Sequence, residues 1–254
     1  RLRTEMYLAN QASAVVAGSS VEASSLIDEV RAPADRVWVI PPGVDVDLFT
    51  PTRADAADSR VRGELDIAPD RPILAVVGRV QPLKDQELAI RVLAELHALR
   101  GSAPVLVVAG DATPGEDGYA SSLQSIAAEL GVLAEVRFAG ALSRERLADL
   151  LAIATVTLVP SHSETFGLVA LESAASGTPV IAFRGGGLVE SVSAGVSGLL
   201  VDSRDPRAWA QATASLLDDG AGLQRLSGFA RHYAEGFTWA ATATALTGVY
   251  ASLV

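Results

Sequence analysis

The sequence predicts an α/β fold built as a doubly wound parallel sheet, and three observations carry that reading. Eight short runs rich in Val, Ile and Leu punctuate the chain, they are apolar throughout rather than alternating, and stretches with helical spacing separate them. Continuous apolar strands are those buried on both faces of a parallel sheet. Strands that alternate with helices form βαβ units, whose crossovers are right-handed, so few topologies remain. At 254 residues, 49% of them hydrophobic, the chain has ample core for one large domain or two modest ones.

Taken in order, the strand-like runs are AVVA (14–17), VWVI (37–40), PILAVV (72–77), PVLVVA (104–109), EVRFA (135–139), TVTLV (155–159), PVIAF (179–183) and GLLV (198–201). Helical spacing covers 20–30, 85–100, 117–130, 143–151, 166–176 and 206–218. The opening RLRTEMYLAN also reads as helical, and 222–253 as purely helical. Ser19 with Glu22 fits a capping box for the helix at 20–30. Asp85 precedes the stripe Leu88, Val92, Leu96 and Leu99, which Gly101 stops. Gly177 ends the helix at 166–176, and Thr178-Pro179 lead into the next strand.

Turn chemistry sets a boundary at IPPGVDVDLFTPT near 40–52, where two adjacent prolines and a glycine break the α/β rhythm. The expected division is 1–44 as the tail of a preceding domain, 45–236 as a full α/β domain, and 237–254 as a terminal helix returning to the first. No initiator Met opens the chain, which reads as a fragment cut from a longer protein.

Composition excludes several functions. The absence of cysteine removes disulfide scaffolds, thiolate metal sites and cysteine nucleophiles. Thirty acidic against twenty basic residues give a net charge of −10, which argues against sequence-independent nucleic-acid binding. No apolar run approaches the roughly 18 residues of a membrane span and no signal peptide is read, so a cytoplasmic location is expected. Nineteen of the basic residues are arginine, and Lys84 is the single lysine.

In a doubly wound sheet, ligands bind beyond the carboxyl ends of the strands. Three post-strand loops are chemically unusual. GRVQPLKD (78–85) places Arg79 and Lys84 five residues apart ahead of a helix, which suits a phosphate. It is not a Walker A loop, and no strand leads into G-x-G-x-x-G. The ordinary alternative is two solvated charges, the role assumed for Arg60.

PSHSETFGLVALESAASGTPV (160–180) is the second loop, where Phe166, Gly167 and Leu168 would present free N–H groups to an anion at a helix start. Glu164 and Glu172 would lie roughly 8–10 Å apart at the rise of an α-helix. That is too far to share a proton or easily bind one metal, and suits two separate hydroxyl-binding carboxylates. The bland readings are a first-turn acid for Glu164 and a solvated helix position for Glu172. His162 reads as a hydrogen-bonding loop residue, because no triad accompanies it; His97 and His232 read as surface or packing residues. The third loop, FRGGGLVES (183–191), allows close backbone approach to a ligand, although glycines are common in any tight turn.

In this order, GRVQPLKD, SHSETFGLVALESAASGTPVIA, GGG and SGLLV resemble the carboxyl-terminal, Rossmann-like domain of family-4 retaining glycosyltransferases of the GT-B type. PPGVDVDLFTP resembles the interdomain linker of that family, and the E-x7-E element from Glu164 to Glu172 is the most specific part. Within the family, GRVQPLK and RHYAEGFTW are most similar to mycothiol-pathway members that transfer N-acetylglucosamine from UDP-N-acetylglucosamine to 1D-myo-inositol 3-phosphate.

The resemblance implies roles by position. Gly78, Arg79 and Lys84 would meet the donor diphosphate. Glu164 would bind hydroxyls of the transferred sugar beside the N–H groups of Phe166, Gly167 and Leu168. Glu172 would accept the ribose hydroxyls, and backbone at Leu142 would meet the base. Arg79, Lys84 and Glu164 are the catalytic set, with a UDP-sugar as substrate, no catalytic metal and no cofactor. Arg1 or Arg3 would touch an acceptor phosphate, because the family has a phosphate-binding arginine near this helix. The expected partners are the donor, a small-molecule acceptor and a missing amino-terminal domain, whose exposed interface also favours a homodimer. Two rivals stay open: a nucleotide-sugar 2-epimerase of the GT-B type, and a non-catalytic nucleotide-sugar-binding module.

Overall fold

The computed structural model describes residues 2–101 and 104–253, in two parallel sheets. The small one pairs β1 (Val15–Ala17) with β2 (Val37–Val39). The large one holds β3 (Ile73–Val77), β4 (Val105–Ala109), β5 (Val136–Gly140), β6 (Val156–Val159), β7 (Val180–Phe183) and β8 (Gly198–Val201). Its order is β5-β4-β3-β6-β7-β8, so the order reverses between β3 and β6. That reversal is the topological switch point where such sheets open a ligand crevice. All eight sequence-read strands are present, each within a residue or so of its expected ends.

Helices flank the sheet: α1 (Leu2–Gln11), α2 (Ser20–Asp28), α3 (Ala54–Glu64), α4 (Gln86–Arg100), α5 (Asp117–Glu129), α6 (Arg144–Ile153), α7 (Leu168–Ala175), the single turn α8 (Leu188–Ser191), α9 (Pro206–Asp218), α10 (Gly220–Ala234) and α11 (Trp239–Ser252). Side chains alternate along β3 and β4 and build a core on each face. Leu74, Val76, Leu106 and Val108 pack with Leu93, Leu96 and Trp209 on one side. Ile73, Ala75, Val105 and Val107 pack with Phe49, Val61, Leu171 and Ala230 on the other. Each large side chain so buried contributes about 1.5–3 kcal/mol.

Two elements depart from the sequence reading. α3 was not anticipated, because Ala57 and Val61 alone are buried along it and the apolar stripe is too thin to read. Its attachment is ionic: Arg60 on α3 and Arg53 just before it both pair with Asp149, a buried residue of α6. Arg60 is therefore a structural partner rather than a free surface charge.

The carboxyl-terminal helix is also two helices, because residues 235–238 leave the helix and run beside the linker. Val44 donates its N–H to the Phe237 carbonyl at 2.8 Å and forms a parallel bridge with Thr238. Thr238 then caps α11 by accepting from the Ala241 N–H at 3.1 Å. A Cβ on Gly43 would overlap the Trp239 backbone, so glycine permits this crossing.

Candidate functional site

The loop after β3 carries Gly78, Arg79 and Lys84, and the loop after β6 carries Glu164. The switch point brings them together. Lys84 Nζ lies 2.5 Å from Glu164 Oε1, and Ser161 Oγ donates to the same oxygen at 2.8 Å. Both charged side chains are largely shielded, at 21% and 17% exposure. Gly78, in the left-handed half of backbone space at φ +146°, leaves room for the aliphatic stem of Lys84 to lie 3.6–3.7 Å from where a Cβ would stand. The solvated-charge alternative fails for Lys84. Arg79 is exposed, and its guanidinium has no ion-pair partner among the described residues.

Two cavities divide the sequence-read residues other than Glu172, which lines neither. One of about 510 Å³ is lined by Lys84, Glu164, Phe166, Gly167 and Leu168, with Gly18 and Trp239 opposite. Another of about 360 Å³ is lined by Gly78, Arg79, Asp111, Thr113 and Leu142. Asp111 Oδ1 accepts the Ala141 N–H at 2.9 Å, which sets the backbone that leads into Leu142.

α7 begins at Leu168, two residues later than the spacing predicts, because Gly167 adopts φ +100° as its cap. No hydrogen bond among the described residues engages the N–H groups of Phe166, Gly167 or Leu168. These orphan donors and the helix dipole make the positive end of a helix. Glu164 precedes the helix by four positions and turns to Lys84, so it is not a first-turn acid. Phe166 is 3% exposed, and its ring packs on Phe237 at 5.7 Å.

Glu172 is 9% exposed rather than solvated, and its pKa is raised from 4.5 to about 7. Burial is the larger cause. The Arg144 guanidinium, 3.8 Å away and stacked over Phe49, opposes it. Both glutamates are shielded, and each faces a different cation, Lys84 for Glu164 and Arg144 for Glu172.

The triple glycine allows close backbone approach to the site loop. Gly187 donates to the Glu164 carbonyl at 2.8 Å, and a Cβ on Gly187 would overlap the Thr165 carbonyl. His162 lies 3.4 Å from Asp85 Oδ2, a loop contact as read from sequence. His97 and His232 are exposed. Arg3 is exposed on α1, and Arg1 lies outside the described residues.

Sequence reasoning missed Arg204, which donates to the Ser161 carbonyl at 2.9 Å, to the Pro160 carbonyl, and to Asp85 at 3.2 Å. The one sequence signal for it is an arginine following strand GLLV. Among the described residues no cluster of three or more His, Asp or Glu is arranged to hold a metal, and no helix is long and apolar enough to cross a membrane.

The comparisons agree on one family. The glycosyl transferases group 1 model matches residues 58–233. A D-inositol 3-phosphate glycosyltransferase of Thermobispora bispora is 43% identical, over 98% of this chain and 58% of that protein. Its counterpart in Acidothermus cellulolyticus is 42% identical, over 94% and 53%. The chain thus spans a little over half the length of these curated relatives. Among solved structures, Anabaena Alr3699/HepE in complex with UDP and glucose superimposes with a TM-score of 0.88 at 26% identity, over 99% of this chain and 66% of that one. Sucrose-phosphate synthase of Thermosynechococcus elongatus gives 0.84 at 32% identity, over 99% and 61%. With its six-stranded parallel sheet flanked by helices, the GT-B arrangement of these neighbours, the chain belongs to the group 1 glycosyltransferases.

Proposed function

We propose that this chain is the donor-binding part of a glycosyltransferase that moves N-acetylglucosamine from UDP-N-acetylglucosamine to a hydroxyl of 1D-myo-inositol 3-phosphate, with retention at the anomeric carbon. The observation that carries the reading is the meeting of Lys84 and Glu164 at the switch point, in one cavity with the free N–H groups at the start of α7, while Arg79 lines a second cavity. The relatives named for inositol 3-phosphate and the neighbour holding UDP support the choice of donor and acceptor.

Arg79 and Lys84 hold the diphosphate, and Glu164 holds sugar hydroxyls. Glu172 accepts the ribose hydroxyls, and the backbone at Leu142 meets the base in the cavity it shares with Gly78. Lys84 and Glu164 lie in contact, so one donor can engage both. The diphosphate takes the cation while the sugar takes the carboxylate.

As the sugar–phosphate bond breaks toward an oxocarbenium-like centre, negative charge gathers on the leaving diphosphate. Lys84, Arg79 and the α7 N–H groups stand where that charge develops, and one preorganised contact of this kind is worth about 3–4 kcal/mol. The leaving phosphate oxygen takes the acceptor proton on the same face. Residues 1–44 are the tail of the acceptor domain, 45–236 the donor domain, and 237–254 the helix that returns.

Titration calorimetry with UDP, GDP and ADP tests the reading. UDP is expected to bind at least tenfold more tightly than the other two, equivalent to about 1.4 kcal/mol. No binding by any of the three rules the donor site out.

A further inference from the structure

The two loops that build the site are joined by a residue belonging to neither. Arg204 stands between β8 and α9, and its guanidinium lies over the Phe183 ring at 3.8 Å. From that platform Nη2 donates to the Ser161 carbonyl at 2.9 Å, while Nη1 donates to the Pro160 carbonyl and to Asp85 Oδ2 at 3.2 Å. Both ends of this bridge are next to site residues. Asp85 directly follows Lys84, takes a left-handed φ of +52°, and caps α4 by accepting the Leu88 N–H at 3.2 Å. Ser161 is 3% exposed and directs its hydroxyl to Glu164.

We propose that Arg204 is a positioning residue for the donor site: without touching the donor, it holds the β3 and β6 loops at the spacing that lets Lys84 and Glu164 reach one ligand. The inference rests on the donor-site reading above. Three acceptors from two loops, approached from an aromatic face, require the planar fork of arginine; a lysine ammonium cannot span them while stacked. The loops have a second link, in which the His162 N–H donates to the Leu83 carbonyl at 2.9 Å. Substituting Arg204 therefore loosens the spacing without separating the loops.

The test compares UDP with uridine, which lacks the diphosphate that Lys84 would hold. Affinities of the unsubstituted chain, Arg204→Lys and Arg204→Gln are measured for both ligands, with thermal unfolding alongside. Each substitution is expected to weaken UDP about tenfold and to change uridine less than about twofold, the size of one charge-assisted hydrogen bond lost at the diphosphate. Equal weakening of uridine and UDP assigns Arg204 a general structural role and overturns the inference, as does unchanged UDP affinity. If Arg204→Gln fails to fold, Arg204→Lys is judged by the same criteria. Failure of the unsubstituted chain to bind UDP overturns the donor-site reading, and this inference with it.

Discussion

Lys84 and Glu172 show how differently two charged side chains of the candidate site are held. The net charge of −10 is spread over the chain, while the candidate phosphate site sets Lys84 beside Glu164 and Arg79 in one cavity with Asp111. Lys84→Ala is expected to weaken UDP by about 2–3 kcal/mol, the scale of a hydrogen bond to a charged group. The control is Arg225→Ala, since Arg225 is 67% exposed with its nearest carboxylate at 3.9 Å; equal losses in calorimetry would make Lys84 an ordinary charge. Glu172 yields a pH dependence. Its pKa of about 7 exceeds the ordinary 4.5, so the folded chain holds a proton that the unfolded chain has released between those values. Stability therefore falls as pH rises from about 4.5 to about 7, and Glu172→Gln is expected to flatten that decline and stabilise the chain at neutral pH by about 2 kcal/mol. Ribose hydroxyls need the ionised carboxylate, so UDP-N-acetylglucosamine should bind about tenfold more weakly at pH 6 than at pH 8. A flat binding profile in calorimetry would remove Glu172 from the ribose site.

Among the elements, α6 links stability to the site. Its Asp149 anchors Arg53 and Arg60, while Arg144, its first residue, faces Glu172. Asp149→Ala is expected to destabilise by about 1–3 kcal/mol, because two partly exposed guanidiniums lose their carboxylate. In thermal unfolding that corresponds to roughly 2–10 °C; no change would show that packing of Ala57 and Val61 suffices to hold α3. The β3 and β6 loops were legible as sites because strand, turn residues and unusual charges coincide within a few positions. α3 was not legible, since an exposed helix held by ion pairs to a distant helix has no strong period of its own. The burial of Glu172 was equally invisible, because a carboxylate five residues into a helix looks solvated until the packing above it is known.

For the whole molecule, the segment after the small sheet and the segment leading into α11 cross at Gly43–Val44 and Phe237–Trp239. Gly43→Ala places a methyl group against the Trp239 backbone and is expected to free α11, seen as faster limited proteolysis between 235 and 240. UDP affinity should change less than twofold, because Trp239 lines the cavity at Glu164, which would hold the sugar that UDP lacks, while Arg79, Lys84 and Glu172 all belong to the six-stranded unit. A large loss of UDP binding would mean that α11 takes part in holding the nucleotide.

Periodicity and turn chemistry were enough for the strand count, the parallel sheet and the loops that face the crevice, since these depend on neighbours along the chain. The strand order, the Lys84–Glu164 contact, the Arg204 bridge and the break before α11 required the folded chain. Each joins residues far apart in sequence, and no local pattern encodes where a distant carbonyl, ring or carboxylate will arrive.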